Sequence, residues 1–313
     1  MNNSVTRNYN SSYIHISEAN KKALKEIEER RKGKSSGLKT RWKRLNKVLG
    51  GGIQWEFTYL IAGLSGSGKT SLSNLIETDL FDLNPDEKFK VLNFNFETES
   101  YRNVIKKYSA DLSLNTNEIL SVEESLSDEN FNKLKFSADR LSKYEIYYFD
   151  KSGSIEEIYN AIISFQNQYP EHRLINILDH TALVDYKNEK DELELLTKLA
   201  KMAMVVKKQI GCTNIFLGQL NSNIEQYERI SSPASHAPIR SDLFGAKSIF
   251  NATDTVIVSH RPEQLNIAKY LGKYETKDKL FFHVIKNRYG DVGFLKMAVN
   301  FSLNSIEEDD NGN

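Results

Sequence analysis

The chain has 313 residues, 39% of them hydrophobic and 11% aromatic, enough to bury the core of one large domain with tails. Lys and Arg total 42 against 42 Asp and Glu, so no global field draws the protein to nucleic acid or membrane, and any DNA contact must be local. The single cysteine, Cys212, excludes an intrachain disulfide and a cysteine metal cluster and points to a reduced, cytoplasmic setting. No stretch approaches the roughly 20 apolar residues of a membrane span, and MNNSVTRNYNSS lacks the apolar core of a secretion signal.

Residues 1–16 are polar without a sustained period, and 306–313 are acidic and rich in Gly and Asn, so disordered tails are expected over 1–16 and 304–313. Ser17 can cap a helix running to about Arg31, whose apolar stripe is only Ala23, Leu24 and Ile27. So thin a stripe cannot hold a helix alone; the segment is a solvated tail or a helix that docks on a neighbouring subunit. Gly33, Ser35, Ser36 and Gly37 read as a linker closing segment 17–37.

From 38 to 303, apolar runs of strand length alternate with amphipathic segments of helix length, the pattern of a mostly parallel sheet covered on both faces in a doubly wound α/β domain. Predicted strands are 57–62, 91–96, 145–149, 174–178, 213–218, 254–259 and 280–286; predicted helices are 69–82, 99–110, 128–142, 154–168, 189–209 and 242–251. The runs 280–286 and 293–301 have no helix between them and should form an antiparallel edge through Tyr289, Gly290 and Asp291.

Gly63-Leu-Ser-Gly-Ser-Gly-Lys69-Thr70 has the spacing of a phosphate loop, and it stands between the apolar run 57–62 and the helix-like Ser71-Leu-Ser-Asn-Leu-Ile76. Its glycines let the backbone curl until N–H groups converge on phosphates, and a helix N-terminus adds partial positive charge at the same point. The candidate nucleotide contacts are Gly63, Ser65, Gly66, Ser67, Gly68, Lys69, Thr70 and Ser71. Lys69 would reach the β and γ phosphates of ATP, and Thr70 would ligate Mg²⁺. The cation also needs a carboxylate at the end of a buried neighbouring strand, and Leu174-Ile-Asn-Ile-Leu178 ends on Asp179.

Val91-Leu-Asn-Phe-Asn-Phe96 delivers Glu97, a hydrolytic base, with Glu99 two residues on. Strand alternation puts both carboxylates on one side, and the one nearer the strand end is the better placed. Ile215-Phe-Leu-Gly-Gln219 ends a further buried run on a glutamine that can hydrogen-bond a γ-phosphate and report its loss to the loop that follows. Lys286 and Arg288 alternate onto one side of a late strand and can face one anion, a pattern that a solvated charged hairpin also shows.

With those sites in order, residues 36–300 resemble the carboxy-terminal motor of the DnaB-type hexameric replicative helicases, which are RecA-like P-loop ATPases. Besides the phosphate loop, the likeness is carried by Ser36-Gly-Leu-Lys-Thr40, Gly50-Gly-Gly52, Phe96-Glu97-Thr-Glu-Ser100, Leu178-Asp179, Leu217-Gly-Gln219-Leu-Asn221, Ser241-Asp-Leu243 and Ile285-Lys286-Asn287-Arg288-Tyr-Gly290. The resemblance implies Glu97 as the catalytic glutamate, Asp179 as the magnesium aspartate, Gln219 as the sensor, and Lys286 with Arg288 reaching the neighbouring subunit's γ-phosphate. It implies an ATP-driven hexamer that translocates on single-stranded DNA at a replication fork, with a primase or loader as partner.

In RecA-like rings the segment after the sensor lines the pore. Asn221–Arg240 is therefore expected to be a long structureless DNA loop, with Arg229, Arg240 and Lys247 gripping phosphates and the loop 185–190 as a second contact. Three departures stand out: His180 where the family has an aromatic, Phe244-Gly-Ala-Lys-Ser248 in place of a more acidic segment, and residues 1–37 where bacterial members carry a helical collar domain. Two other classes share the loop chemistry: a recombinase that forms filaments on DNA, and a nucleotide switch that binds no DNA.

Overall fold

Apolar runs and amphipathic segments alternate in space as they do in sequence in the computed structural model, which describes residues 13–33 and 37–309, the side chains of Pro233, Ala246 and Lys247 excepted. The first half comprises α1 (Ile16–Arg31), β1 (Gly37–Leu38), α2 (Lys43–Val48), β2 (Ile53–Gln54), β3 (Thr58–Gly63), α3 (Lys69–Asp82), β4 (Phe89–Asn95), α4 (Ser100–Leu112), α5 (Thr116–Ile119), α6 (Asp128–Leu141) and β5 (Ile146–Phe149). The second comprises α7 (Ile155–Gln168), β6 (Arg173–Asp179), α8 (Glu192–Ile210), β7 (Thr213–Gln219), α9 (Tyr227–Ile230), α10 (Ala246–Ala252), β8 (Thr255–His260), β9 (Lys269–Tyr270), β10 (Tyr274–Glu275), β11 (Lys279–Asn287), β12 (Gly293–Asn300) and β13 (Ser305–Glu308).

The main sheet runs β13-β12-β11-β8-β3-β7-β6-β4-β5. From β8 to β5 all pairings are parallel. From β8 outward through β11, β12 and β13 they are antiparallel. The expected doubly wound α/β domain with an antiparallel edge is the fold observed. Strand β3 is buried along its whole length because both its faces are covered. Tyr59 and Ile61 pack with Leu72, Leu75 and Leu80 of α3 in one core, whereas Leu60 and Ala62 pack with Ile158 of α7 and Leu195 and Leu199 of α8 in another. Each such Leu or Ile contributes about 1.5–3 kcal/mol by leaving water. The chain leaves β3 through α3 to reach β4, passing over β7 and β6, so a crevice opens beyond the carboxyl ends of β3, β7, β6 and β4. Among the described residues no helix is long and apolar enough to cross a membrane.

The terminal boundaries differ from expectation. Residues 305–308 are sheet rather than acidic tail: Ile306 is fully buried, its carbonyl accepts Trp42 Nε1 at 2.9 Å, and Glu308 accepts the Arg44 N–H at 2.7 Å. Asp309 pairs with Lys279 and Lys296, so the acidity of this stretch answers lysines on the sheet edge. Helix α1 starts at Ile16, capped by His15 rather than Ser17, and buries none of its residues; Leu24 and Ile27 stay half exposed. Its end is tied to the body where Arg30 donates to Gly50 O and Gln54 Oε1, each at 3.1 Å. The remaining tail and linker residues, 1–12, 34–36 and 310–313, lie outside the described residues.

The segment 221–240 is not structureless. It forms a 3₁₀ turn at Ser222–Glu225, helix α9 and a second 3₁₀ turn at Pro233–Ser235. Ile224 and His236 are fully buried beneath it, with His236 Nε2 2.8 Å from Ile224 O. The polar sequence hid two internal anchors, one aliphatic and one imidazole.

Candidate active site

Strand β3 ends on Gly63, where the chain folds too closely for a side chain. A Cβ there would stand 2.2 Å from Ser67 Oγ and 2.6 Å from the Ser259 carbonyl. Gly68, at φ 80°, turns the chain into α3, whose first-turn N–H groups are left without intrahelical partners. Neighbouring elements brace the loop: Ser259 Oγ donates to Ser67 O at 2.7 Å and Gln264 Nε2 to Ser65 O at 3.1 Å. Lys69 is buried, and its ammonium donates to the carbonyls of Gly63 at 3.1 Å and Leu64 at 2.9 Å. Burial lowers its proton affinity while the charges of Asp179 and Glu97 raise it, so the crevice brings Lys69 together with two carboxylates.

The register explains that gathering. Asn95 of β4 pairs with Asp179 of β6, and the Phe96 N–H continues the ladder onto Asp179 O at 2.9 Å, so Glu97 emerges beside Asp179. Gly63 pairs with Gln219, which brings the end of β7 alongside the loop. Thr70 Oγ1 donates to Asp179 Oδ2 at 3.0 Å. Burial first, then the charge of Glu97, push the Asp179 carboxyl up to about 6, against the Thr70 hydrogen bond and the charges of Lys69 and Lys106.

Two atoms test whether a triphosphate and a divalent cation fit. Ser67 Oγ, inside the loop, and Asp179 Oδ1, at the strand end, are buried without a hydrogen-bond partner. Each unpaired group costs about 1–3 kcal/mol. A phosphate oxygen for the hydroxyl and a cation for the carboxylate are the partners this chemistry calls for, so the residues fit both groups.

Of the two glutamates, Glu97 turns inward, with Oε2 3.7 Å from His180 Nε2, and its side chain is 50% exposed. Glu99 stands at the N-cap of α4 and pairs with Arg102 at 3.3 Å. His180 occupies the centre: its Nε2 is also 3.4 Å from Gln219 Nε2, and burial lowers its proton affinity. Sequence reasoning treated His180 as a departure from a pattern; its place directly after Asp179 was the signal. The Ser71 side chain turns away from the loop, its Oγ donating to Asn304 Oδ1 in the interior at 3.1 Å. Two further residues went unseen. Arg261 lies over the Phe301 ring at 4.6 Å, and that ring is what a Cβ on Gly68 would strike at 2.5 Å, so a flat cationic and aromatic surface flanks the loop.

Lys286 and Arg288 are not in this crevice. Strand β11 runs antiparallel to β8, with a bulge between Val284 and Lys286, and Asn287 pairs with Thr255 at the opposite end of the sheet. Lys286 Nζ donates to the carbonyls of Phe250 and, at 2.6 Å, Thr253, while Arg288 Nη1 lies 3.1 Å from Asp254 Oδ1. The charged-hairpin alternative is thus replaced by a pair anchored at the end of α10, with an acidic partner 34 positions away in sequence from Arg288.

The DNA candidates separate. Arg229 Nη1 pairs with the fully buried Asp242 at 2.5 Å, and its Nη2 donates to Ala237 O at 2.8 Å, so its guanidinium holds its own segment together. Arg240 is exposed and lies over the Phe250 ring. Lys247 sits in α10 with its side chain outside the described residues. In the loop 185–190, Lys187 pairs with Glu156 at 2.7 Å.

The family model for the DnaB-like helicase C terminal domain matches residues 37–308. No curated protein sequence matches the chain. In structure the chain is similar to a solved ATPase domain at TM-score 0.82 and 20% identity, over 96% of this chain and 100% of that one. It is also similar to a DnaB-like replicative helicase described with its interactions with primase, at TM-score 0.79 and 20% identity, over 95% of this chain and 67% of that one. At such identity the structural likeness establishes the fold. The family match, which takes in the loop, Glu97, Asp179, Gln219 and the late-strand pair, establishes descent. The chain therefore belongs to the DnaB-like helicase C-terminal domain family and is the ATP-hydrolysing motor of a DNA helicase.

Proposed function

We propose that the motor works as a ring, hexameric as in the family it resembles, with each ATP and Mg²⁺ held between two subunits and single-stranded DNA in the pore. One observation carries this reading. Arg288 N–H donates to Asp254 O, Asp254 N–H to Thr58 O, and Thr58 opens the strand that Gly63 closes. Five residues of strand separate the late-strand pair from the chain's own phosphate loop, about 16 Å, beyond the reach of a lysine or arginine side chain. A cation pair so placed serves a neighbour's phosphates. Asp254 also keeps Lys207 at 2.6 Å and the Thr58 N–H at 2.8 Å, so Arg288 can leave it without stranding a buried carboxylate.

Within one subunit the N–H groups from Gly66 to Thr70, the Ser67 hydroxyl and Lys69 would hold the phosphates, and Thr70 with Asp179 would hold Mg²⁺, which neutralises charge on the β and γ oxygens when bound. Glu97 orients and deprotonates the attacking water, and Gln219 senses the γ-phosphate through its place beside the loop. Arg261 and Phe301 offer the surface on which a nucleobase stacks. The pore contact falls to segment 221–240, where the Tyr227 ring is 79% exposed and suits base stacking, and to Lys247. Helix α1, with no buried residue, docks on the adjacent subunit. Interaction with a primase, described for one relative, is carried over as part of this proposal.

Mixing tests the shared site. Arg288→Ala subunits retain a good phosphate site and Lys69→Ala subunits a good arginine, so mixed rings contain competent interfaces and DNA-stimulated ATPase should reappear. Flat activity in rings confirmed as mixed by native mass spectrometry would overturn the reading.

A further inference from the structure

Arg240, last residue of the segment assigned to DNA, points away from that role. Its guanidinium lies over the Phe250 ring at 4.8 Å, and the Lys286 ammonium lies over the same ring at 4.8 Å. Beside the ring, Arg240 Nη2 makes a long 3.5 Å contact to Asn251 Oδ1. The four cations Lys207, Arg240, Lys286 and Arg288 thus gather at the end of α10, and among the described residues Asp254 is the carboxylate that pairs with Lys207 and Arg288. Burial and the charges of Arg288, Arg240 and Lys207 all lower the proton affinity of Lys286, with only Asp254 opposing them. A surplus of like charge at that range is unfavourable and is relieved by an anion carrying more than one charge.

A second set of contacts shows where a pull on Arg240 would go. Ser241 O accepts Asn221 Nδ2 at 2.7 Å, Phe244 N–H donates to Gln219 O at 3.1 Å, and Leu243 bridges to Leu220. The backbone that carries Arg240 is fastened to the strand end that carries Gln219.

We propose that Arg240 is a third trans-acting cation, which contacts the neighbouring subunit's triphosphate together with Lys286 and Arg288 and ties that contact to the chain's own Gln219. This rests on the shared-site reading. The occupant is a nucleotide rather than a DNA strand, because a triphosphate presents several charges to one small cluster whereas a strand passes its phosphates singly along a groove.

The experiment uses full-length rings. Arg240→Ala should lower DNA-stimulated kcat about 10-fold or more, a fraction of what a trans arginine supplies, while single-stranded DNA affinity and its salt slope stay unchanged; Arg240→Lys should recover part of the rate. Mixing Arg240→Ala with Lys69→Ala subunits should raise ATPase above that of either parent. If the Arg288→Ala mixture recovers and the Arg240→Ala mixture does not, Arg240 is not trans-acting and the proposal falls alone; if both stay flat, the shared site falls with it. A weakened DNA affinity with a salt slope reduced by about one, at unchanged kcat, would return Arg240 to the DNA and overturn the proposal as well.

Discussion

The Glu97 carboxylate stands 3.7 Å from the His180 imidazole, which in turn reaches Gln219. Glu97, His180 and Gln219 are therefore one contact chain, built from the ends of three parallel strands. Burial and the charge of Lys69 lower the proton affinity of His180, while the charge of Glu97 raises it. Glu97→Gln should retain nucleotide affinity and slow hydrolysis by roughly 10² or more, whereas Glu99→Gln, which removes only an exposed pair with Arg102, should change it little. Single-turnover rates beside nucleotide titrations check this; the reverse ranking would reassign the base.

Lys69 donates to two carbonyls of its own loop, contacts that a phosphate would replace. Lys69→Ala should abolish triphosphate binding in calorimetry while the circular dichroism spectrum stays native. Tight ATP binding by the folded variant would rule out the phosphate assignment.

Arg229 is a structural residue. Its removal takes the paired cation from Asp242, which is fully buried and keeps the Ile239 N–H as a donor. Because Arg229 itself keeps 21% exposure, the cost of Arg229→Ala falls below that of a fully buried broken pair, to about 2 kcal/mol, which lowers Tm by roughly 3 °C. Differential scanning calorimetry checks it. A native Tm combined with a flattened salt dependence of DNA binding would restore Arg229 to the DNA interface.

His283 donates stability that depends on pH. It is buried against Tyr270, with Nε2 2.8 Å from the phenol oxygen, and burial pushes its imidazole from 6.5 down to about 4. The unfolded chain takes up the proton first as pH falls, so stability that is complete above about 6.5 is lost progressively down to about 4, reaching a deficit of about 2 kcal/mol at pH 5. His260, beside it and also held neutral by burial, adds to the same trend. Urea midpoints at pH 7 and pH 5 should differ by less in His283→Asn than in the parent; an equal difference would remove His283 as the cause.

Local patterns determined the order of strands and helices, because burial on both faces of a parallel sheet writes itself as apolar runs: β3, β4, β6 and β7 fall within two residues of their predicted bounds. The phosphate loop was legible for the same reason, since its chemistry depends on residues adjacent in the chain. What only the tertiary structure decided depends on residues far apart. Glu97 was already preferred over Glu99 as the residue nearer the strand end; its place beside Asp179 needed the β4–β6 register, and the position of His180 needed three strand ends. The pairing of Arg288 with Asp254 needed the antiparallel return of β11, and the place of Arg240 near Lys286 needed the ring of Phe250. The strand at 305–308 escaped because its acidic residues looked like a solvated tail until the lysines of the sheet edge came into contact with Asp309. Spacing along a chain states which faces are apolar; which charges meet is settled by the sheet order that those faces produce.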